Sequence, residues 1–127
     1  MQVLVVDDQA PFRAAARAVL SRIAEFDLVG EAASGEEAVT MTAELHPDLV
    51  LMDINMGEMN GIEATRQVMA VDGAPMVILV STYAAEDLPA DARSSGAAAY
   101  IHKDELSPRL LRGLWESGGD PEWPVSA

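Results

Sequence analysis

Five short apolar runs divide the sequence and constrain its fold more than any other feature. They begin about 20 to 27 residues apart and lack polar alternation, which is typical of strands buried on both faces of a parallel sheet. The runs occupy residues 3–6, 28–29, 49–52, 76–80 and 97–101. The second run is brief and has polar flanks, so we expect it to form an edge strand.

Helical periodicity fills the intervals between the runs, and it predicts five helices. Four of them begin at a typical N-cap or first-turn residue, namely Pro11, Ser34, Asn60 and Ser107. A poorer helix is predicted over residues 87–95, where Pro89 fits only near the first turn. The alternation predicts a doubly wound α/β domain, with a flavodoxin-like parallel sheet of strand order 2-1-3-4-5 and five helices.

Length and composition favour a single globular domain in a reducing compartment. The chain has 127 residues, of which 50% are hydrophobic and 23% charged, and it has no cysteine. No apolar run approaches the roughly 20 residues that a membrane-spanning helix needs, and no basic leader precedes the first run. We therefore expect a cytoplasmic protein, with a domain over residues 1–117 and a C-terminal tail or linker remnant over residues 118–127, where glycine and proline break any helix.

The charge of the chain argues against two classes of partner. Twenty-one acidic residues against eight basic ones give a net charge of −13, which repels the phosphates of nucleic acids and anionic lipids. We expect neither direct nucleic acid binding nor membrane binding. The only lysine is Lys103, directly after the fifth apolar run, and this position favours a specific role over an incidental surface charge.

Polar side chains follow four of the five predicted strands. They are Asp7 and Asp8, Asp53, Ser81 and Thr82, and Lys103. Since the carboxyl ends of parallel strands share one edge of the sheet, three carboxylates should meet there, and each like-charge pair at 5 Å costs about 3 kcal/mol at an effective dielectric near 20. Such a cluster needs a cation or a raised pKa. Oxygen ligands without histidine or cysteine favour Mg²⁺, with Mn²⁺ as the alternative.

This set of residues is suited to phosphoryl transfer. The carboxylate of Asp53 can act as the nucleophile, while Lys103 and the metal offset charge on the phosphoryl oxygens and Ser81 donates a hydrogen bond. Individually, acids at strand ends also serve as caps of the helices that follow. The joint occurrence favours the phosphoacceptor interpretation.

Four motifs resemble the receiver domain of two-component response regulators. They lie at residues 3–8, 47–54, 59–63 and 96–103, and the resemblance extends from residue 2 to about residue 115. The pair Lys103 and Asp104 resembles the residues at this place in the receiver subclass whose proteins usually carry a helix-turn-helix output domain. No such domain is present in this sequence, and the short tail favours a stand-alone regulator over an excised receiver.

The resemblance implies a role for each site residue. Asp53 would be the phosphoacceptor. It would be phosphorylated by a phosphohistidine of a sensor histidine kinase or phosphotransfer protein. Mg²⁺ would be bound by Asp8 directly, by Asp7 through water or as a secondary ligand, by Asp53, and by the backbone carbonyl of Asn55. Lys103 would contact the phosphoryl group.

A switch is also implied by the resemblance. Ser81 would be the switch hydroxyl, favoured over Thr82 because it ends the apolar run, and the rotamer of Tyr100 would follow it. The responding face would comprise the fourth helix, the fifth strand and the fifth helix, and would bind a downstream protein partner, an output domain or a second copy of the chain in a phosphorylation-dependent dimer.

Two other functions are compatible with the residues. A magnesium-dependent phosphatase would use the same aspartyl intermediate, but such enzymes usually carry an acid two residues after the nucleophile, where this chain has Asn55. A phosphorylation-independent interaction module would have no need for the acids, the hydroxyl and the lysine. We therefore expect a signalling domain that is not an enzyme, apart from its own phosphorylation and dephosphorylation.

Overall fold

One parallel sheet of five strands forms the centre of the molecule. The computed structural model describes residues 1–57, 59–120 and 123. The strands are β1 (Gln2–Val6), β2 (Asp27–Ala32), β3 (Leu49–Asp53), β4 (Met76–Ser81) and β5 (Ala99–His102). Their order, β2-β1-β3-β4-β5, confirms the predicted topology and places β2 at an edge. Much of the predicted tail, residues 121, 122 and 124–127, lies outside the described residues.

Helices begin where the sequence provides a capping side chain or, in the first helix, a first-turn proline. They are α1 (Ala10–Leu20), α2 (Gly35–Leu45), α3 (Gly61–Met69) and α4 (Pro108–Ser117). The side chains of Ser34, Asn60 and Ser107 each accept a hydrogen bond from the backbone N–H three residues later, at 3.1, 2.9 and 3.1 Å. These bonds satisfy amides that have no partner within the helix, as the sequence predicts.

The helix predicted over residues 87–95 is wrong, so the described residues contain four α-helices rather than five. The segment instead forms two single turns of 3₁₀ helix, Ala85–Asp87 and Ala90–Ala92, on either side of Pro89. Proline lacks an amide hydrogen and disfavours helical geometry at the residue before it, so an α-helix cannot pass through this position. Each remaining piece is too short to nucleate one.

Both faces of the sheet are buried. Leu4 and Val6 of β1 belong to a hydrophobic cluster with α2 and α3, whereas Val3 and Val5 belong to a second cluster with α1 and α4. β2 lies on one side of β1 and β3 lies on its other side, so the direction in which strands are added reverses at β1. This reversal leaves a crevice at the carboxyl ends of β1 and β3, where α/β sheets of this kind place their sites. Among the described residues, no helix is both long and apolar enough to cross a bilayer.

Candidate functional site

Three carboxylates meet at the crevice. Oxygen atoms of Asp7, Asp8 and Asp53 all lie within 4.8 Å of one another. Asp7 is 0% and Asp53 4% exposed, whereas Asp8 is exposed to solvent. The parallel register explains the meeting, because Val6 pairs with Met52 and the acids therefore follow at the same level of the sheet.

A close backbone approach fixes the position of β3 in this crevice. A Cβ on Gly61 would lie 1.9 Å from the carbonyl oxygen of Asp53, so only glycine fits at the start of α3. The amide of Gly61 donates to the carbonyl of Ile54 at 2.8 Å. These contacts hold the loop that follows Asp53 against the first turn of α3.

Lys103 reaches the acids from the far side of the crevice. Its Nζ lies 2.6 Å from Oδ2 of Asp7 and 3.4 Å from Oδ1 of Asp53. The same ammonium lies over the ring of Phe12, 4.6 Å from the ring centroid. The side chain is only 12% exposed, so its charge acts on the carboxylates with little screening by water.

Asp7 is oriented by its neighbours in α1. Its Oδ1 accepts from the amide of Gln9 at 2.8 Å, and its carbonyl oxygen accepts from the Arg13 guanidinium at 2.6 Å. Oδ2 is buried and forms the ion pair with Lys103, but among the described residues no group makes a hydrogen bond of regular geometry to it. A buried carboxylate oxygen of this kind has capacity for a cation.

The environment of Asp53 destabilises its ionised form when no cation is bound. Burial, together with the charges of Asp7 and Asp8, raises the pKa of Asp53 to about 6, although Lys103 acts in the opposite direction. The cluster therefore carries a repulsion that Lys103 only partly offsets. A divalent cation or an electrophile at Asp53 would relieve it.

Ser81 and Tyr100 form a second group, beside the acids. Ser81 ends β4, is 1% exposed, and accepts a hydrogen bond at its Oγ from the amide of Tyr83 at 3.1 Å. The hydroxyl of Tyr100 donates to the carbonyl of Ser81 at 3.1 Å and contacts the carbonyl of Tyr83. Burial raises the pKa of Tyr100. The ring of Tyr100 is thus tied to the backbone of the loop that begins at Ser81.

The other predicted site residues lie at the rim. Thr82 is exposed, and its carbonyl oxygen lies 2.9 Å from Nε2 of His102. Asn55 is also exposed and follows Asp53 by two residues in the loop toward α3. The metal coordination expected of the Asn55 carbonyl and the place of Thr82 in the site, as the less favoured candidate for the switch hydroxyl, stay predictions.

Three contributors to the site are not evident from the sequence pattern. His102 binds the loop after β4 through Thr82 and accepts at Nδ1 from the amide of Asp104 at 3.1 Å. Phe12 supports Lys103, and Arg13 holds the carbonyl of Asp7. Phe12 and Arg13 lie on the helical stripe or its border, so periodicity alone assigns them to packing and to the surface.

The donor set fits a hard divalent cation. It consists of carboxylate oxygens from three residues, one of them exposed, and no histidine or cysteine belongs to the group. Exposure of Asp8 leaves room for water ligands, which Mg²⁺ usually retains.

Comparison with known proteins agrees with this geometry. The model of the response regulator receiver domain matches residues 3–114. The chain belongs to the response regulator receiver domain family. It is 36% identical over 113 residues to the chemotaxis protein CheY of Thermotoga maritima, covering 89% of this chain and 93% of that protein. It is also 36% identical to the transcriptional regulatory protein YdfI of Bacillus subtilis, but spans only 53% of its length.

Solved receiver structures share the fold. The response regulator domain of Thermotoga maritima CheB superposes with a TM-score of 0.82 at 32% identity, covering 95% of this chain and 98% of that one. A chain of the CheX-CheY-BeF₃-Mg complex of Borrelia burgdorferi gives a TM-score of 0.81 at 28% identity, covering 94% and 90%. The receiver domain of two-component signalling is thereby confirmed as the class of this chain, as its motifs predict.

Proposed function

We propose that this receiver domain is switched by phosphorylation of Asp53. The observation that carries the proposal is the buried Asp53 carboxylate, which lies within 4.8 Å of two other acids and 3.4 Å from the ammonium of Lys103. Such a carboxylate is destabilised as an anion and stands at the carboxyl end of β3, in the crevice. Attachment of a phosphoryl group converts it into an acyl phosphate, whose phosphoryl oxygens Lys103 can face.

The donor is a phosphohistidine on a sensor histidine kinase or a phosphotransfer protein. A carboxylate oxygen of Asp53 forms a bond to phosphorus while the bond between phosphorus and the imidazole nitrogen breaks. The electron pair of that bond stays on the imidazole, which takes up a proton from solvent. Lys103 stabilises charge on the phosphoryl oxygens during the transfer.

Mg²⁺ is the cation that we propose for the crevice, with Mn²⁺ able to replace it. Asp7, Asp8 and Asp53 would hold it through their side chains, and Asn55 through its backbone carbonyl. When bound, the ion neutralises negative charge on the acids and on the incoming phosphoryl group. Arg13 and Gln9 contribute by orienting Asp7 for this task.

The signal would leave the site through Ser81 and Tyr100. A hydrogen bond from the hydroxyl of Ser81 to the new phosphoryl group would draw the loop after β4 toward Asp53. Because the hydroxyl of Tyr100 is bonded to that loop, its ring would shift with it. The responding surface is formed by β5, α4 and the segment 85–95, and we infer that it binds a downstream protein or a second copy of the chain.

Uptake of one phosphoryl group tests the proposal. The protein is incubated with acetyl phosphate or phosphoramidate, with and without Mg²⁺, and the intact mass is measured. We expect one phosphoryl group only when Mg²⁺ is present, none for Asp53→Asn, and normal uptake for Asp72→Asn, an exposed acid in the turn after α3. No uptake by the wild-type chain would refute the proposal, and multiple turnover on phosphate esters would favour the phosphatase alternative.

A further inference from the structure

The chain turns back on itself directly after α4. Gly118 and Gly119 both have positive φ, 80° and 117°, and the amide of Gly119 donates to the carbonyl of Leu114 at 2.8 Å. A Cβ on Gly119 would lie 2.8 Å from the carbonyl oxygen of Ala98, so glycine is required for this approach as well. The amide of Asp120 then donates to that same carbonyl at 3.0 Å. The sequence after α4 is thus attached to the start of β5.

This turn delivers Trp123 into the hydrophobic cluster of the α2 and α3 face. The side chain is 5% exposed, and its backbone amide donates to the carbonyl of Asp120 at 2.9 Å. Its ring centroid lies 6.1 Å from that of Tyr100, and the guanidinium of Arg93 lies 4.5 Å from the centre of the ring. A residue from the region predicted as a tail therefore packs as a core residue.

The location of Trp123 coincides with the proposed output surface. Tyr100 belongs to β5, and Arg93 belongs to the segment 85–95, where the sequence predicts a helix and the structure has only 3₁₀ turns. Trp123 contacts both residues, and its ring packs against the ring of Tyr100. It occupies this surface as a partner's aromatic anchor would.

Contacts connect Trp123 to the phosphoacceptor crevice. The Oγ of Ser81 accepts from Tyr83, the backbone of both residues accepts from the hydroxyl of Tyr100, and the ring of Tyr100 packs against Trp123. If Ser81 turns toward a phosphoryl group, it gives up its bond to the amide of Tyr83, and the acceptors of Tyr100 move. The surface against which Trp123 packs then changes shape.

Docking of the indole is also incomplete in one respect. The Nε1–H of Trp123 is buried and has no hydrogen-bond partner among the residues that the structure describes. A buried donor without an acceptor opposes docking, and this cost is recovered when the indole reaches water. The apolar contacts and the cation–π contact with Arg93 act in the opposite direction. The balance of these effects suits a segment that binds and releases.

We propose that Trp123 is an intramolecular ligand of the Tyr100 surface and that phosphorylation of Asp53 releases it. Trp123 then competes with external partners for one surface, and only the phosphorylated protein exposes that surface fully. The two binding events are coupled reciprocally: if a phosphoryl group at Asp53 weakens docking of Trp123, docking of Trp123 must weaken binding of a phosphoryl analogue by the same factor. Removal of Trp123 should therefore strengthen binding of the analogue. This inference rests on the proposed phosphorylation of Asp53.

Fluorine NMR on the full chain tests the inference. The protein is labelled with 5-fluorotryptophan, and Trp123→Phe assigns its resonance against that of Trp115. Beryllofluoride and Mg²⁺ are then added, and the signal of bound beryllofluoride reports occupancy of the site independently. The resonance position in urea defines the released state of Trp123. When beryllofluoride saturates the site, we expect the released fraction to rise about fivefold or more. Asp53→Asn should show no bound beryllofluoride and no change.

Each other outcome has a definite meaning. Bound beryllofluoride with an unchanged Trp123 resonance overturns the inference and leaves the proposed function intact. Absence of bound beryllofluoride in the wild-type chain overturns both. A Trp123 resonance already at the urea position in the untreated protein overturns the docking itself. Arg93→Gln provides a second check, since loss of the cation–π contact should raise the released fraction before any beryllofluoride is added.

Discussion

Replacement of Asp53 by asparagine should stabilise the folded protein when no divalent cation is present. In the wild-type chain, burial and the charges of Asp7 and Asp8 raise the pKa of Asp53 from 3.8 to about 6. A carboxyl with a raised pKa binds its proton more tightly in the folded state than in the unfolded state. Stability is therefore lost as the pH rises from about 4 through 6, and the loss is complete above pH 6.

The size of this effect follows from the shift. A difference of about two pKa units corresponds to about 3 kcal/mol, because each unit is worth 1.36 kcal/mol. Asparagine resembles the protonated carboxyl and cannot ionise. The free energy of unfolding of Asp53→Asn should exceed that of the wild type by about 2 to 3 kcal/mol at pH 8, and the difference should shrink to a few tenths near pH 4.

Urea denaturation in EDTA, at pH 8 and at pH 4, measures the two differences. Asp72→Asn is the matched control, since it removes one negative charge at an exposed position and should change stability little at either pH. Added Mg²⁺ should stabilise the wild type and narrow its gap to Asp53→Asn. Equal stability of wild type and Asp53→Asn at pH 8, or a gap of the same size at both pH values, would refute the electrostatic reasoning.

Three further substitutions test the neighbours of the phosphoacceptor. Lys103→Met leaves the buried charge of Asp7 unpaired, so at pH 8 in EDTA it should lower the free energy of unfolding by about 3 kcal/mol, with partial recovery in Mg²⁺; an unchanged urea midpoint would contradict the assigned ion pair. Gly61→Ala should lower the free energy of unfolding by about 1 to 3 kcal/mol in the same assay, because its Cβ meets a backbone oxygen. Gly113→Ala, whose Cβ faces open space within α4, should raise it by about 0.5 to 1 kcal/mol, and equal effects of the two substitutions would show that steric space at Gly61 is not the cause. Ser81→Ala should keep the uptake of one phosphoryl group, measured by intact mass, but lose the phosphorylation-dependent change in near-ultraviolet circular dichroism, and a change equal to that of the wild type would exclude the switch role.

The sheet and the crevice could be predicted because they depend on local pattern and simple geometry. Unbroken apolar runs indicate strands buried on both faces, and parallel strands end at one edge, so the acids after β1 and β3 and Lys103 after β5 had to be neighbours. Capping residues such as Ser34 and Asn60 determine helix starts through bonds that span three residues. Neither inference requires knowledge of distant contacts.

The segment 85–95 and the C-terminal residues could not be predicted in the same way. Apolar spacing there is compatible with a helix that has Pro89 in its first turn, but the structure has only separate 3₁₀ turns on either side of that proline. Trp123 follows two glycines and a proline, a pattern that is typical of a loose end. Its burial depends on contacts with Tyr100 and Arg93, which are far from it along the chain.

Chemical trapping of the phosphorylated residue tests the central claim most directly. Borohydride reduces an acyl phosphate to the corresponding alcohol, so a phosphorylated aspartate becomes homoserine and is located by peptide mass spectrometry. After incubation with a small phosphodonor and Mg²⁺, we expect homoserine at position 53 and at no other aspartate. Homoserine at Asp7 or Asp8 instead, or none in protein that has taken up phosphate, would contradict the assignment of Asp53 as the phosphoacceptor.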